Sequence, residues 1–220
     1  MKRTLLVMAL VGALLLSVAP VVAQDGFYVI AVGGGGVGTP ITSAPYTISQ
    51  SGFYYLKSNF YTSGSAIFIQ ASDVTLDLMG FCLSGDGTGH GISASDNRHN
   101  VEVRNGTVRN FSTGISVSGD GSRIIKMTTR NNSYGIVSTI LGACLTVTGC
   151  HALNNQNFGY DIQSGGNIIG NVAYNNGNGF RLNSSAAQLV DRNSSYGNTN
   201  SNWLSWGGCT MGVNTPNIIP

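Results

Sequence analysis

The chain has 220 residues, of which 42% are hydrophobic, only 9% are charged and 31 are glycine. Soluble proteins average about 25% charged residues and about 7% glycine, so this composition argues against helical bundles and nucleic-acid-binding proteins. Frequent Ile, Val and Leu together with low charge also argue against a disordered chain. The length suits one domain of ordinary size.

The first 23 residues have the pattern of an export signal. Lys2 and Arg3 precede an apolar run from Leu5 to Val18, and small residues ending at Ala23 follow it. A membrane anchor needs about 20 apolar residues, which is longer than this run. We therefore expect cleavage after Ala23, no membrane anchor, and an extracellular, cell-surface or periplasmic location.

Removal of residues 1–23 would also change the charge balance. Two of the 11 basic residues and none of the 9 acidic residues lie in that segment, which leaves 9 of each. A neutral chain lacks the positive charge with which proteins bind nucleic-acid phosphates or acidic membrane surfaces. We therefore expect no nucleic-acid partner.

Residues 24–40 are predicted to form a glycine-rich leader. The glycine tract at 33–38 is followed by Pro40 and Ile41, whereas a phosphate-binding glycine loop lies between a strand and a helix that carries a lysine. A flexible leader is the favoured interpretation. Residues 41–65 predict an N-terminal strand or a partial first coil, because their Tyr and Phe residues favour a pleated surface.

From residue 66 onward the sequence repeats with a period near 22 residues. A small residue followed by an apolar residue recurs in steps of 20 to 25 residues. These markers are Ala66-Ile67, Gly91-Ile92, Gly114-Ile115, Gly135-Ile136, Gly159-Tyr160, Gly179-Phe180 and Asn202-Trp203. A second marker keeps a similar period at Asn131-Asn132, Asn154-Asn155, Asn175-Asn176 and Gly197-Asn198. Two independent features with one period indicate a structural repeat.

Each repeat predicts short β-strands. Apolar residues alternate within it, as at Val74, Leu76 and Leu78, and a period of two is typical of strands. Leucine-rich repeats have a similar length but need regularly spaced leucines, and Gly, Asn and Ser disfavour helical repeats. We therefore predict an all-β parallel β-helix, or solenoid, of about seven coils over residues 66–203, with a C-terminal coil or cap at 204–220.

Stacked coils explain the composition. Equivalent residues of successive coils lie about 4.8 Å apart, so a column of like charges would repel, whereas uncharged asparagines can form a hydrogen-bonded ladder. The predicted ladder residues are Asn131, Asn154 and Asn175 in one turn, together with Asn132, Asn155, Asn176 and Asn198. Two apolar columns are predicted inside the coils: Ile67, Ile92, Ile115, Ile136, Tyr160, Phe180 and Trp203, and Ile69, Ala94, Val117, Ser138, Ile162 and Leu182.

In these coils the chain resembles the right-handed parallel β-helix proteins of the pectate-lyase-like superfamily. The resemblance covers roughly residues 66–203 and is clearest in VTLDLMGFCLSG at 74–85, in NVEVRNGTVRNF at 100–111 and in the Asn-Asn turns. Members of that superfamily include polysaccharide lyases, glycoside hydrolases, epimerases and secreted proteins without known chemistry. The resemblance implies a right-handed fold and an extracellular carbohydrate context, but it does not fix a reaction.

Two short segments are similar to motifs of the polygalacturonases: GHGIS at 89–93 and RIIK at 123–126. They make His90, Arg123 and Lys126 weak catalytic candidates. Inverting glycosidases need paired carboxylates, and the polygalacturonase pattern places clustered aspartates before the histidine, which this chain lacks. His90 is therefore interpreted as a turn residue, and we expect no release of reducing ends or unsaturated sugars from pectin-type polymers.

A lyase would need Ca²⁺ bound by several carboxylates and a basic residue that removes a proton from the sugar. Arg104, Lys126 and Arg130 could supply the base, but the 9 acidic residues form no evident calcium cluster along the sequence. Asp161 and Arg181 occupy equivalent positions in adjacent coils and predict a surface ion pair.

The histidines and cysteines show no zinc-ligand spacing, so we expect no metal site and no cofactor. Cys144 and Cys150 would be about 20 Å apart along an extended strand, too far for a disulfide. We predict that Cys82, Cys144 and Cys150 are buried free thiols, while Cys209 could fold back from the tail.

Two functions therefore remain. The first is a secreted noncatalytic β-helix that binds glycans or forms part of an extracellular or cell-surface assembly, with possible self-association through the coil ends. The alternative is a polysaccharide lyase or glycoside hydrolase with an unconventional site. The missing acid clusters favour the first. Outward-facing Tyr160, Phe180 and Trp203 would bind sugar rings, but their column predicts that they point inward.

Overall fold

The structure is a computed structural model that describes residues 38–94, 97–139 and 144–214, apart from the side chains of 183–186 and 205–208. The predicted export signal and nearly all of the leader lie outside these residues. Within them the chain forms strands and no α-helix, and so the described residues contain no helix that could span a membrane.

Twenty strands form one parallel sheet. In chain order they are β1 (Thr39–Ile41), β2 (Tyr46–Ile48), β3 (Gly52–Leu56), β4 (Phe60–Tyr61), β5 (Ile67–Ile69), β6 (Val74–Asp77), β7 (Cys82–Ser84), β8 (His90–Ala94), β9 (Val101–Arg109), β10 (Thr113–Ser116), β11 (Ser122–Arg130), β12 (Tyr134–Ser138), β13 (Cys144–Thr148), β14 (His151–Leu153), β15 (Phe158–Ile162), β16 (Gly165–Ile169), β17 (Val172–Tyr174), β18 (Asn178–Asp191), β19 (Ser194–Tyr196) and β20 (Ser201–Met211).

The strands fall into three rows that wind about seven times around a common core. Row A contains β2, β5, β8, β10, β12, β15 and the first parts of β18 and β20. Row B contains β1, β3, β6, β13, β16, the first parts of β9 and β11 and the last parts of β18 and β20. Row C contains β4, β7, β14, β17, β19 and the last parts of β9 and β11.

The all-β parallel solenoid with a period of about 22 residues is confirmed. The first predicted column is also confirmed, because the marker residues are directly paired from Ile67 to Trp203, and all but the partly buried Trp203 are fully buried. In the second predicted column, Ile69 is paired with Ala94. Further along the chain, Ile162 is paired with Ser138 on one side and with Leu182 on the other.

Residues 41–65 form more than a single strand. They contain β2, β3 and β4, and each of these strands pairs with its counterpart in the following coil, β5, β6 and β7. Toward the other end, β20 continues to Met211 and still pairs with β18. Strand pairing therefore extends beyond residues 66–203 on both sides.

The recurring glycine of the marker is explained by close approach between coils. A Cβ added to Gly135 would lie 2.4 Å from the carbonyl oxygen of Gly159 and 3.0 Å from Nδ2 of Asn155. The same contact recurs one coil earlier, where a Cβ on Gly114 would lie 2.6 Å from the oxygen of Gly135. No side chain fits at this corner, and so the glycine repeats with the coil.

Candidate functional site

The second asparagine of each Asn-Asn pair forms a buried ladder. Nδ2 of Asn132 donates to Oδ1 of Asn155 at 3.1 Å, Asn155 donates in the same way to Asn176 at 2.9 Å, and Asn176 donates to Asn198 at 3.0 Å. Each Oδ1 also accepts the backbone N–H of the preceding asparagine. The ladder therefore gives hydrogen-bond acceptors to both the side-chain and the backbone N–H groups at the corner between row C and row A.

The first asparagine of each pair has a different role. Asn131, Asn154 and Asn175 have φ values of 55°, 55° and 57°, and Gly197 has the same left-handed conformation at 66°. Asparagine is among the few residues that adopt this conformation readily. These side chains are exposed, and one bond links them, from Nδ2 of Asn175 to Oδ1 of Asn154 at 2.6 Å. They turn the chain, while their neighbours fill the interior.

A second buried ladder lies at the corner between rows B and C, and the sequence analysis missed it. Asn171 donates to Oδ1 of Asn193 at 2.9 Å, and Asn193 donates to Oδ1 of Asn214 at 3.1 Å. Cys150 occupies the equivalent position one coil earlier, with its backbone N–H donating to Oδ1 of Asn171. The sequence contains the step of about 22 residues between these asparagines, but none of them belongs to an Asn-Asn pair.

The structure does not bring the weak catalytic candidates together. His90 begins β8 in row A, and its backbone N–H donates to Oγ of Ser65. Arg123 lies in row B, where its Nε donates to Glu102 at 2.8 Å. Lys126 is an exposed turn residue with a φ of 51°. The three residues lie on different sides of the coils.

The aspartates near His90 serve the backbone. Asp86 accepts hydrogen bonds from the Thr88 hydroxyl, the Thr88 N–H and the Gly64 N–H. These bonds, led by the one from the Thr88 hydroxyl, lower the pKa of Asp86. A general acid would need the opposite shift. Asp120 accepts from the N–H groups of Gly121 and Cys144.

Buried carboxylates occur elsewhere and are paired with arginine. Asp77 accepts from Nε of Arg104 at 2.8 Å, and Glu102 bridges Arg104 and Arg123 at 2.8 Å to each. The predicted pair of Asp161 and Arg181 is confirmed, with Nε of Arg181 2.6 Å from the carboxylate. Asp161 is only 3% exposed, so this pair is not the surface ion pair that the sequence predicted.

The four cysteines lie among the described residues and are free. Cys150 is buried, but Cys144 is exposed and Cys82 and Cys209 are half-buried. The prediction of a buried thiol is therefore wrong for Cys144 and for Cys82. Cys144 begins β13 on the outward side of row B, while the next residue, Leu145, points into the core. Burial raises the pKa of the Cys150 thiol to about 12.

The predicted orientation of the large aromatic column is confirmed. Tyr160 and Phe180 are fully buried, and their rings stack in parallel with centroids 4.4 Å apart. Trp203 continues the stack at 4.4 Å from Phe180. These rings are part of the core.

Two directly paired tyrosines of row C face outward. Tyr174 ends β17 and Tyr196 ends β19, and the two are directly paired. They are 43% and 47% exposed, and their ring centroids are 4.9 Å apart with an angle of 39° between the ring planes. A Cβ on Gly197 would lie 2.9 Å from the Tyr174 ring, so glycine at this turn leaves room for the ring.

The turns that follow row C form a groove of about 380 Å³, which is lined mainly by amide side chains. Its lining residues are Asn154, Asn155, Gln156, Asn175, Asn176, Gly177, Thr199 and Asn200. Asn155 and Asn176 belong to the buried ladder, whereas the side chains of Asn154, Gln156, Asn175, Thr199 and Asn200 are exposed. The groove offers donors and acceptors from three successive coils, and none of its lining residues is charged. We call Tyr174, Tyr196 and this groove the tyrosine–amide site.

Among the described residues, no group of three or more His, Cys, Asp and Glu side chains is placed to hold a metal ion. Comparisons with protein-family models, with curated proteins and with solved structures found no match. The parallel solenoid therefore stands on its own pairing pattern, and the candidate site on its own geometry.

Proposed function

We propose that this chain is a noncatalytic carbohydrate-binding solenoid of the pectate-lyase-like type, exported from the cell, and that it binds glycans at the tyrosine–amide site. The observation that carries the proposal is the pair of exposed tyrosine rings directly beside a groove of exposed amides. Aromatic rings present a large apolar face with a polar tip, and sugar rings offer matching apolar C–H faces between their hydroxyl groups.

The chemistry of the groove favours an uncharged ligand. Each amide offers both donors and an acceptor, which suits sugar hydroxyl groups, and the lining contains no charged residue that would select an acidic sugar. Neighbouring coils lie about 4.8 Å apart, so groups from successive coils can contact successive parts of one extended oligosaccharide. We therefore expect neutral oligosaccharides to bind more tightly than uronic-acid polymers.

The residues that line the same groove also favour binding without catalysis. Glycosidases place two carboxyl groups on either side of the scissile bond, and no acidic residue lines this groove. Row C, which carries both tyrosines, also lies apart from the arginine-paired carboxylates Asp77 and Glu102 in row B. Binding without turnover is the expected result.

The test is a titration of the purified protein against a panel of neutral and acidic oligosaccharides by calorimetry, with product analysis of every mixture. We expect Tyr174→Ala and Tyr196→Ala each to weaken binding of the best neutral ligand by about two- to tenfold, as a stacking contact with an aromatic ring is worth about 0.5 to 1.5 kcal/mol. Phe68→Ala is the matched control, because Phe68 is also an outward-facing, exposed aromatic residue but lies in row A.

Two results would contradict the proposal. One is the release of reducing ends or unsaturated sugars, which would favour the lyase or hydrolase alternative. The other is binding that neither tyrosine substitution weakens, or no binding to any neutral glycan. Circular dichroism of each variant checks that the β-structure is retained.

A further inference from the structure

Row C carries a second outward-facing feature that the proposed function does not use. Arg109 and Arg130 end β9 and β11 and are directly paired. Two like charges that face each other on adjacent strands repel. Within the described part of the chain, neither guanidinium forms an ion pair with a carboxylate, whereas four other arginines do: Arg104, Arg123, Arg181 and Arg192. Arg109 and Arg130 therefore place two positive charges side by side on adjacent strands, without a paired carboxylate among the described residues.

Arg109 lines a pocket of about 260 Å³, and Arg130 is its partner on the adjacent strand. Its lining residues are Asn59, Phe60, Tyr61, Cys82, Ser84 and Arg109. Nε of Arg109 is buried and has no hydrogen-bond partner among the described residues. Nδ2 of Asn59 and the hydroxyl groups of Tyr61 and Ser84 add further possible donors. The pocket thus combines positive charge with several groups that can donate hydrogen bonds.

The Cys82 thiol also lines this pocket. Burial raises its pKa, and the charges of Arg109 and Arg130 act in the opposite direction. Both guanidiniums therefore lie close enough to act on a residue of the pocket.

We propose that this pocket, lined by Tyr61, Ser84 and Arg109 and flanked by Arg130 of the adjacent coil, binds a doubly charged oxyanion, a phosphate or sulfate group. A dianion neutralises two guanidiniums, whereas a carboxylate neutralises only one. Guanidinium groups bind phosphate and sulfate oxygens through paired, charge-assisted hydrogen bonds. The inference does not rest on the tyrosine–amide site, because the lining of that groove is uncharged and shares no residue with this pocket.

The test measures thermal unfolding and calorimetric binding with sodium phosphate and with sodium sulfate. Ionic strength is held constant with sodium chloride, because screening alone changes surface charge effects. We expect both dianions to raise the unfolding temperature, since a ligand that binds only the folded state stabilises it. Sodium acetate, a monoanionic carboxylate, is expected to have a much smaller effect at the same concentration.

Arg109→Gln and Arg130→Gln are each expected to weaken phosphate binding by about tenfold or more. Neither variant should be less stable than the wild type without ligand, because each substitution removes a repulsion. Lys57→Gln is the matched control, since it removes an exposed positive charge outside the pocket lining. Its phosphate affinity should equal that of the wild type.

A phosphorylated monosaccharide separates the two sources of the dianion. Tighter binding than inorganic phosphate assigns the pocket to a phosphorylated glycan, and equal or weaker binding assigns it to the free anion. The proposal is overturned if chloride at matched ionic strength reproduces the phosphate effect, if acetate binds as tightly as phosphate, or if the double variant of Arg109 and Arg130 keeps the wild-type affinity.

Discussion

Cys150 occupies a ladder position that asparagine holds in the next three coils. Its Sγ accepts the backbone N–H of Met127 at 3.5 Å, while Oδ1 of Asn171 accepts the N–H of Cys150. The thiol is fully buried beside Tyr160, whose hydroxyl donates to the Cys150 carbonyl at 2.7 Å. A thiol here thus substitutes for an amide oxygen, but it can ionise and an amide cannot.

This ionisation predicts a loss of stability in alkali. The pKa of the buried thiol is about 12 against an ordinary value of 9.0, so between these pH values the unfolded chain loses a proton that the folded chain keeps. The stabilisation is fully present below pH 9 and decreases by about 1 kcal/mol per pH unit above it. Urea unfolding in the presence of a phosphine reductant, repeated from pH 8 to pH 10.5, measures this slope.

Cys150→Ala should reduce that slope, although the variant is less stable at pH 8 because the N–H of Met127 loses its acceptor. Cys144→Ala is the control, since its side chain is exposed, and it should keep the wild-type slope. Burial also raises the pKa of Tyr160, so part of the alkaline loss persists in Cys150→Ala. Equal slopes in the wild type and Cys150→Ala would contradict the prediction.

At the scale of a structural element, the Asn132–Asn155–Asn176–Asn198 ladder is expected to be the most sensitive part of the corner. Asn155→Ala removes the acceptor of both the Asn132 side chain and the Asn132 N–H. Leaving buried polar groups unpaired costs about 1 to 3 kcal/mol each. We expect a decrease of roughly 2 to 4 kcal/mol in the free energy of unfolding, measured with urea.

The adjacent residue provides the control. Asn154→Gly retains the left-handed conformation, since glycine adopts it without strain, and it removes only the exposed bond to Asn175. Its stability should stay within about 1 kcal/mol of the wild type. The ladder would lose its assigned role if Asn154→Gly were as damaging as Asn155→Ala.

The Asn-Asn doublets show where sequence patterns are sufficient and where they are not. Their period located the corner and its repeat, because any residue repeated once per coil stacks on itself. The period could not say which asparagine of a doublet points inward, since both recur together. That choice depends on the left-handed turn at Asn131, Asn154 and Asn175, which directs the following side chain into the core.

The candidate sites were harder to predict than the fold. Tyr174 and Tyr196 were visible in the sequence as matching tyrosines, but only the pairing of β17 with β19 puts their rings side by side on the outer surface. Arg109 and Arg130 lie in different repeats, and their pairing depends on the register of β9 with β11. Core columns are repeated and thus predictable, whereas sites are formed where the repeat is broken.

At the scale of the whole molecule, no disulfide bond links one coil to another among the described residues. All four cysteines are free, and the strand pairs, ladders and core columns supply the cohesion. We therefore expect the urea midpoint at pH 7 to be the same with and without reductant. Nonreduced mass spectrometry should find four thiols per chain, and a bridge between any two of them would contradict this arrangement.

The corner at Gly135 has a consequence for how such a chain can change in length. A Cβ there would meet the backbone of the next coil, so each corner packs only against a coil of the same shape. Any coil with that shape can occupy the neighbouring position. Insertion or loss of one whole repeat keeps every column in register, whereas a change of a few residues within a strand shifts all of them. Such a protein can therefore lengthen by duplication of whole repeats, each of which adds one coil.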